Sequence, residues 1–160
     1  MGAMFYECSS LTSLDLSNFN TSQVTNMSYM FKDSGNLISL NLSNFDTSQV
    51  TNVSYMFHNC TKLTSIDFSQ ATFEKVTSFD YMFGINANIY IVAKDDTARN
   101  WLQTRLDENQ SLGTIVTVAE LELGASVPED ETASNTTVPD DEIASDTTVP
   151  DDEIASDTTV

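Results

Sequence analysis

Residues 28–52 read SYMFKDSGNLISLNLSNFDTSQVTN, and residues 54–78 read SYMFHNCTKLTSIDFSQATFEKVTS. The second string is the first one shifted by 26 residues. The same shift relates Met4-Phe5, Met30-Phe31, Met56-Phe57 and Met82-Phe83. A fixed period of this size marks a stacked-repeat architecture, in which one unit alone cannot bury its apolar face and neighbouring units bury it for each other. Superposing the copies gives columns. Leu11, Leu37, Leu63 and Ile89 share one, and Leu14, Leu40, Ile66 and Val92 the next. Leu16, Leu42 and Phe68 share a third, which ends at Lys94.

These columns spell L-x-x-L-x-L, the short strand of a leucine-rich repeat. The spacing therefore predicts strands near 11–16, 37–42, 63–68 and 89–93 in one parallel sheet, with Leu40 among the most buried residues. Between the leucines the strands point outward, where Ser13, Ser39 and Ser65 form one column and Asp15, Asn41 and Asp67 another. In the fourth copy these columns change to Ile91 and Ala93 beside Tyr90, which predicts a strand buried on both faces. In the other half of each unit Val24, Met27, Met30 and Phe31 fall at i, i+3, i+6 and i+7, as do their counterparts in the next two copies. That period fits a short helix, with Thr21, Ser22, Thr47 and Ser48 placed as N-caps.

Behind the repeats the composition changes. Asp95 or Asp96 is placed to cap a helix from about Thr97 to Asp107, with Ala98, Trp101, Leu102 and Leu106 as its apolar stripe. Gly113 then turns the chain into a β-branched strand, Thr114 to Val118. The last 42 residues carry 13 acidic and no basic side chains, out of a formal net charge of −18 for the chain. They repeat TTVPDDEIASD at 136–146 and 147–157. One Pro per period and almost nothing to bury predict disorder. The expected organisation is thus a repeat region over 1–94, an αβ cap over 95–118 and an acidic low-complexity tail over 119–160.

The repeated YMF, L-x-x-L-x-L and SNF-x-TS-x-VTN strings resemble the 26-residue repeat of the BspA-like leucine-rich repeat surface proteins of Gram-positive bacteria and mycoplasmas, over roughly residues 3–94. The resemblance implies an α/β, right-handed leucine-rich-repeat-like solenoid of parallel strands and short helices. It also implies an extracellular, cell-surface location and an adhesive role toward a host or matrix protein or a glycan, with attachment to the cell wall through flanking regions. The opening residues lack the charged and apolar regions of a signal peptide. No LPxTG-type sorting motif is present, and the chain starts inside one repeat and stops inside another. A fragment or shortened product is the expectation.

Composition removes several other classes. With 24 acidic against 6 basic side chains, a nucleic-acid partner held through phosphates is excluded. No apolar run approaches the ~18 residues of a membrane span. Two cysteines and one histidine are too few for a zinc site or a disulfide framework, and no cofactor is expected. His58 lies in a column with Lys32 and Gly84, which predicts a solvent-facing position and no catalytic role. Cys8 and Cys60 sit two units apart, about 10 Å at the ~4.8 Å strand spacing, so two free thiols are expected. Tyr29, Tyr55 and Tyr81 form a column read as aromatic stacking within the wall, with an exposed ladder for sugar rings or peptides as the rival. The N-x-S/T triplets carry no information in a chain this rich in Asn, Ser and Thr. What remains is an adhesive module, with Ser13, Asp15, Ser39, Asn41, Ser65 and Asp67 as its ligand-contact face, or a structural spacer presenting another domain.

Overall fold

The computed structural model describes residues 1–84 and 88–124, all within the first of two units, Met1–Pro128. The acidic repeats expected to be disordered lie outside the described residues. The fold is α/β. A four-stranded parallel sheet runs in chain order through β1 (Ser39–Asn41), β2 (Ser65–Phe68), β3 (Ile89–Ala93) and β4 (Gly113–Thr117). Helix α1 (Asp96–Glu108) connects β3 to β4, and a short α2 (Val118–Glu122) follows. The 26-residue shift is the register of the first pair: Ser39 stands opposite Ser65, Leu40 opposite Ile66 and Asn41 opposite Asp67. Leu40, Ile66, Leu42, Phe68, Met30, Phe31, Met56 and Phe57 are buried in one core. Each such side chain contributes about 1.5–3 kcal/mol of burial.

The first expected strand, 11–16, is absent. Leu11 and Leu14 are only partly buried, and one backbone bond, Ile38 N–H to the Thr12 carbonyl at 3.3 Å, ties the segment to the next unit. A single bond is too little for a ladder.

The expected helices over Val24–Phe31 and its copies are also absent, and a different hydrogen-bond pattern takes their place. The N–H groups of Met27, Tyr29, Phe31 and Asp33 donate sideways to the carbonyls of Asn52, Ser54, Met56 and His58, all within 3.0 Å. Those of Met30, Lys32 and Ser34 donate back three residues, to Met27, Tyr29 and Phe31. Alternate residues thus bridge units or close turns, and each N–H from Met27 to Ser34 is satisfied once Ser28 N–H binds the Asn26 side chain. Two positions per unit take the left-handed conformation that the third residue of a type II turn requires. One is Ala3, Tyr29, Tyr55 and Tyr81, with φ of 57°, 60°, 59° and 50°; the other is Glu7, Asp33, Asn59 and Gly84, with 55°, 62°, 60° and 61°. Met27, Met30 and Phe31 are buried in this run of turns as they would be on a helix face. Thr21 and Thr47 cap nothing: their hydroxyls donate to the Asp46 and Thr72 carbonyls of the following unit.

The two left-handed columns expose a missing residue. Their separation is four positions in the first three units, but Tyr81 and Gly84 are three apart. The fourth unit therefore lacks a counterpart of Lys32 and His58, and Gly84 belongs with Asp33 and Asn59 rather than with His58. The consequence reaches the sheet, where Ser65 pairs with Tyr90, Ile66 with Ile91, Asp67 with Val92 and Phe68 with Ala93. A one-residue change of register exchanges the faces of a strand. Ile91 and Ala93, expected to face outward, instead join the core, and Tyr90 and Val92 take the outward positions. All five residues of β3 are buried, as the apolar run predicted.

Helix α1 closes the core at this end. Asp95 caps it, accepting from Ala98 N–H at 2.9 Å, and Ala98, Leu102 and Leu106 are buried against the repeats. Trp101 stacks on Phe73 with centroids 4.4 Å apart, Phe79 meets it edge-on, and the Arg105 guanidinium lies 4.0 Å over the Phe79 ring. β4 can approach β3 because residue 113 is glycine; a Cβ there would sit 2.7 Å from the Ile89 carbonyl oxygen. The unexpected α2 falls inside the segment read as tail. Thr117 and Glu120 form its capping box, and Glu120 also pairs with Arg99 of α1.

Candidate functional site

The six residues of the expected contact face are brought together only in part. Ser39 and Asn41 are exposed on β1, and Ser65 and Asp67 lie beside them on β2, partly exposed. This makes a two-by-two grid of short polar side chains. Ser13 and Asp15 are exposed but belong to no strand. Asp15 and Asn41 still share a shallow recess of about 120 Å³, completed by Leu14, Leu16, Ser17, Ser43 and Asn44. On the far side the grid stops at β3, where the outward neighbours of Ser65 and Asp67 are Tyr90 and Val92.

Hydrogen bonding explains one column of the grid. Asn41 Oδ1 accepts from Ser43 N–H at 3.0 Å and from its hydroxyl at 2.6 Å; Asp15 Oδ1 accepts from Ser17 N–H and Asp67 Oδ1 from Ser69 N–H. Each side chain turns the backbone out of the sheet two residues on, as Asx turns do. Asn20, Asn26, Asp46 and Asn52 repeat the device with Ser22, Ser28, Ser48 and Ser54. The N-x-S strings of this sequence are therefore a turn motif. The Ser17 backbone N–H, followed by the Ser17 hydroxyl, holds the Asp15 carboxyl below its usual range, and Ser48 does the same for Asp46. The serines at 39 and 65 have no such structural duty. Among the described residues their hydroxyls make no hydrogen bond.

The tyrosine column lies on the turn side. Tyr29, Tyr55 and Tyr81 stack with centroids 5.1 and 5.4 Å apart, and Phe5, Phe31, Phe57 and Phe83 form a second stack at 5.5–5.8 Å, buried from Phe31 onward. Although stacked, Tyr29 is 40% and Tyr81 58% exposed. His58, expected to face solvent, is half-buried beside the stacked Tyr55 and Tyr81 rings, tilted to the first and edge-on to the second, with its Nδ1 enclosed and without a partner. Gly84 covers it: a Cβ on Gly84 would lie 3.1 Å from the His58 ring. Beside these rings is a recess of about 320 Å³ lined by His58, Tyr81, Gly84, Glu108, Asn109 and Gln110. Sequence reasoning missed it because it depends on the residue deleted before Gly84.

Both cysteines are free. Cys60 Sγ donates to the Phe31 carbonyl at 3.0 Å, as Ser34 Oγ donates to the Phe5 carbonyl one unit earlier. Burial pushes the Cys60 thiol up to about 12, which makes it a structural donor and not a nucleophile. Among the described residues no group of three or more His, Cys, Asp and Glu side chains is placed to hold a metal ion, and no helix is long and apolar enough to cross a membrane.

Residues 1–94 match the family model described as "Mycoplasma protein of unknown function, DUF285". No curated protein and no solved structure matches the chain.

Proposed function

Because the chain belongs to the DUF285 family of Mycoplasma proteins of unknown function, we propose a function from its physical features: residues 1–94 are a solenoid segment of a cell-surface protein that binds a host or matrix protein or a glycan through its sheet face. Support for a solenoid comes from the sideways hydrogen bonds at one-unit intervals and from the in-register pairing of β1 and β2. Parallel strands joined by crossovers are right-handed in nearly all proteins, which gives the hand. The extracellular location and the adhesive role rest on the resemblance to BspA-like surface repeats.

The observation that carries the binding role is the grid of Ser39, Asn41, Ser65 and Asp67. Its four side chains are short and polar and none is aromatic, so each module is a weak site and useful avidity needs many copies. Asn41 and Asp67 are poor probes because they hold turns, whereas Ser39 and Ser65 are not so used. Ser39→Lys with Ser65→Lys should leave the melting temperature within a few degrees and abolish adhesion of a multivalent display to host cells or matrix arrays. Undiminished adhesion by this double variant would move the role of the chain to that of a spacer.

A further inference from the structure

We propose that the recess beside Tyr81 is a binding site for a single neutral sugar ring, separate from the sheet face and independent of its role. The argument begins with the deleted residue. In the second and third units Lys32 and His58 fill the position before the second left-handed residue, and the fourth unit has no such side chain. Gly84 lies against His58 in its place, bringing no Cβ into the space. The tyrosine ladder ends here as well. Tyr55 stacks on one face of Tyr81, and among the described residues no ring stacks on the other. A half-exposed aromatic face therefore forms a wall of a polar recess of about 320 Å³.

The walls select the ligand class. The CH face of a pyranose can continue the ladder by one step, gaining dispersion and apolar burial against the Tyr81 ring. Around the rim stand groups suited to hydroxyls. Gln110 makes no side-chain hydrogen bond among the described residues, and Asn109 donates its Nδ2 to the Arg105 carbonyl, which leaves its amide oxygen as an acceptor. His58 Nδ1 is enclosed and unpartnered, which leaves Nε2 as the ring nitrogen open to a hydroxyl. The Glu108 carboxylate is already paired with Arg105, so the recess holds no free charge to attract a cation. Residues 1–118 carry 11 acidic against 6 basic side chains, a balance that disfavours phosphorylated and acidic ligands.

The test is an NMR titration of the full chain with the methyl β-glycosides of glucose, galactose and N-acetylglucosamine, with adenosine as a flat comparator. At least one glycoside should shift the resonances of His58, Tyr81 and Gln110 saturably, with a Kd on the order of 1 mM, as one ring and a few hydrogen bonds imply. Tyr81→Gly should weaken this at least tenfold, whereas Tyr29→Gly, at the other end of the ladder, should leave it within twofold. Both changes place glycine at a positive φ, so both variants should keep the fold. Saturation by none of the glycosides, equal binding by the Tyr81→Gly variant, or saturation by adenosine alone would overturn the proposal.

Discussion

A residue's column in the repeat decides what a substitution there costs. Leu40 has a unit on either side and is 3% exposed, so Leu40→Asp buries an unpaired charge and should cost at least about 4 kcal/mol. Ser39→Asp, one position away on the outer face, should stay within about 0.5 kcal/mol; urea melts of the two variants measure the difference. Cys60 has its replacement written into the chain, since Ser34 makes the equivalent bond one unit earlier. Cys60→Ser should therefore be milder than Cys60→Ala, by about 1 kcal/mol for the hydrogen bond retained. The acidic turn residues set the behaviour at low pH. Asp15 and Asp46 are depressed by their serines and Asp33 chiefly by Lys32, so their stabilisation is complete above the unfolded carboxyl value near ~4 and is lost as pH falls through the lower folded values. Asp15→Asn keeps the turn, as Asn41 does, and should flatten the acid limb of the melting curve without lowering stability at pH 7.

At the scale of elements, α1 is the seal on the repeats, held by the Trp101–Phe73 stack and the Asp95 cap. Trp101→Ala should cost about 2–4 kcal/mol, less than a fully buried tryptophan because Trp101 is only partly enclosed, and Asp95→Ala about 1 kcal/mol. Calorimetry of the two variants tests that order. This helix and β4 were legible in the sequence because a capping Asp, an apolar stripe and a glycine turn agree on their limits. The β1–β2 register was legible for the same reason, since alternating Ser, Leu and Asn leave one parity. Ile89-Tyr90-Ile91-Val92-Ala93 offers no such signal, because an apolar run fits either register, and the decision rests with the deletion before Gly84. The turn half was misread because Met27, Met30 and Phe31 fit a helix and a row of turns equally well. The discriminating sign was the Asp33, Asn59 and Gly84 series, the residue types that favour a positive φ. Neither site follows from one column: the grid needs adjacent strands in register, and the Tyr81 recess needs the deletion and the end of α1 together.

At the scale of the molecule, the repeat makes a prediction that no single substitution can. Residues 27–33 bond to 52–58, and Ser39–Asn41 pair with Ser65–Asp67, so a unit's partners lie one period away. If stability is a sum of unit and nearest-neighbour terms, inserting a second copy of residues 28–53 after Val53 lengthens the array without breaking a bond. Each end of the insert meets the residues its parent already met. The lengthened chain should fold, melt no lower than the original and unfold with a larger urea m-value, because more surface is buried. Inserting only residues 28–40 should destroy cooperative unfolding, since it sets strand residues against turns and leaves both ladders unpaired. If the 26-residue and 13-residue insertions lower stability alike, the units are not interchangeable and the solenoid reading of residues 1–94 fails. If the longer insertion is tolerated and the shorter is not, the period is the structural unit, and the grid of Ser39, Asn41, Ser65 and Asp67 can be extended by a strand for each copy added.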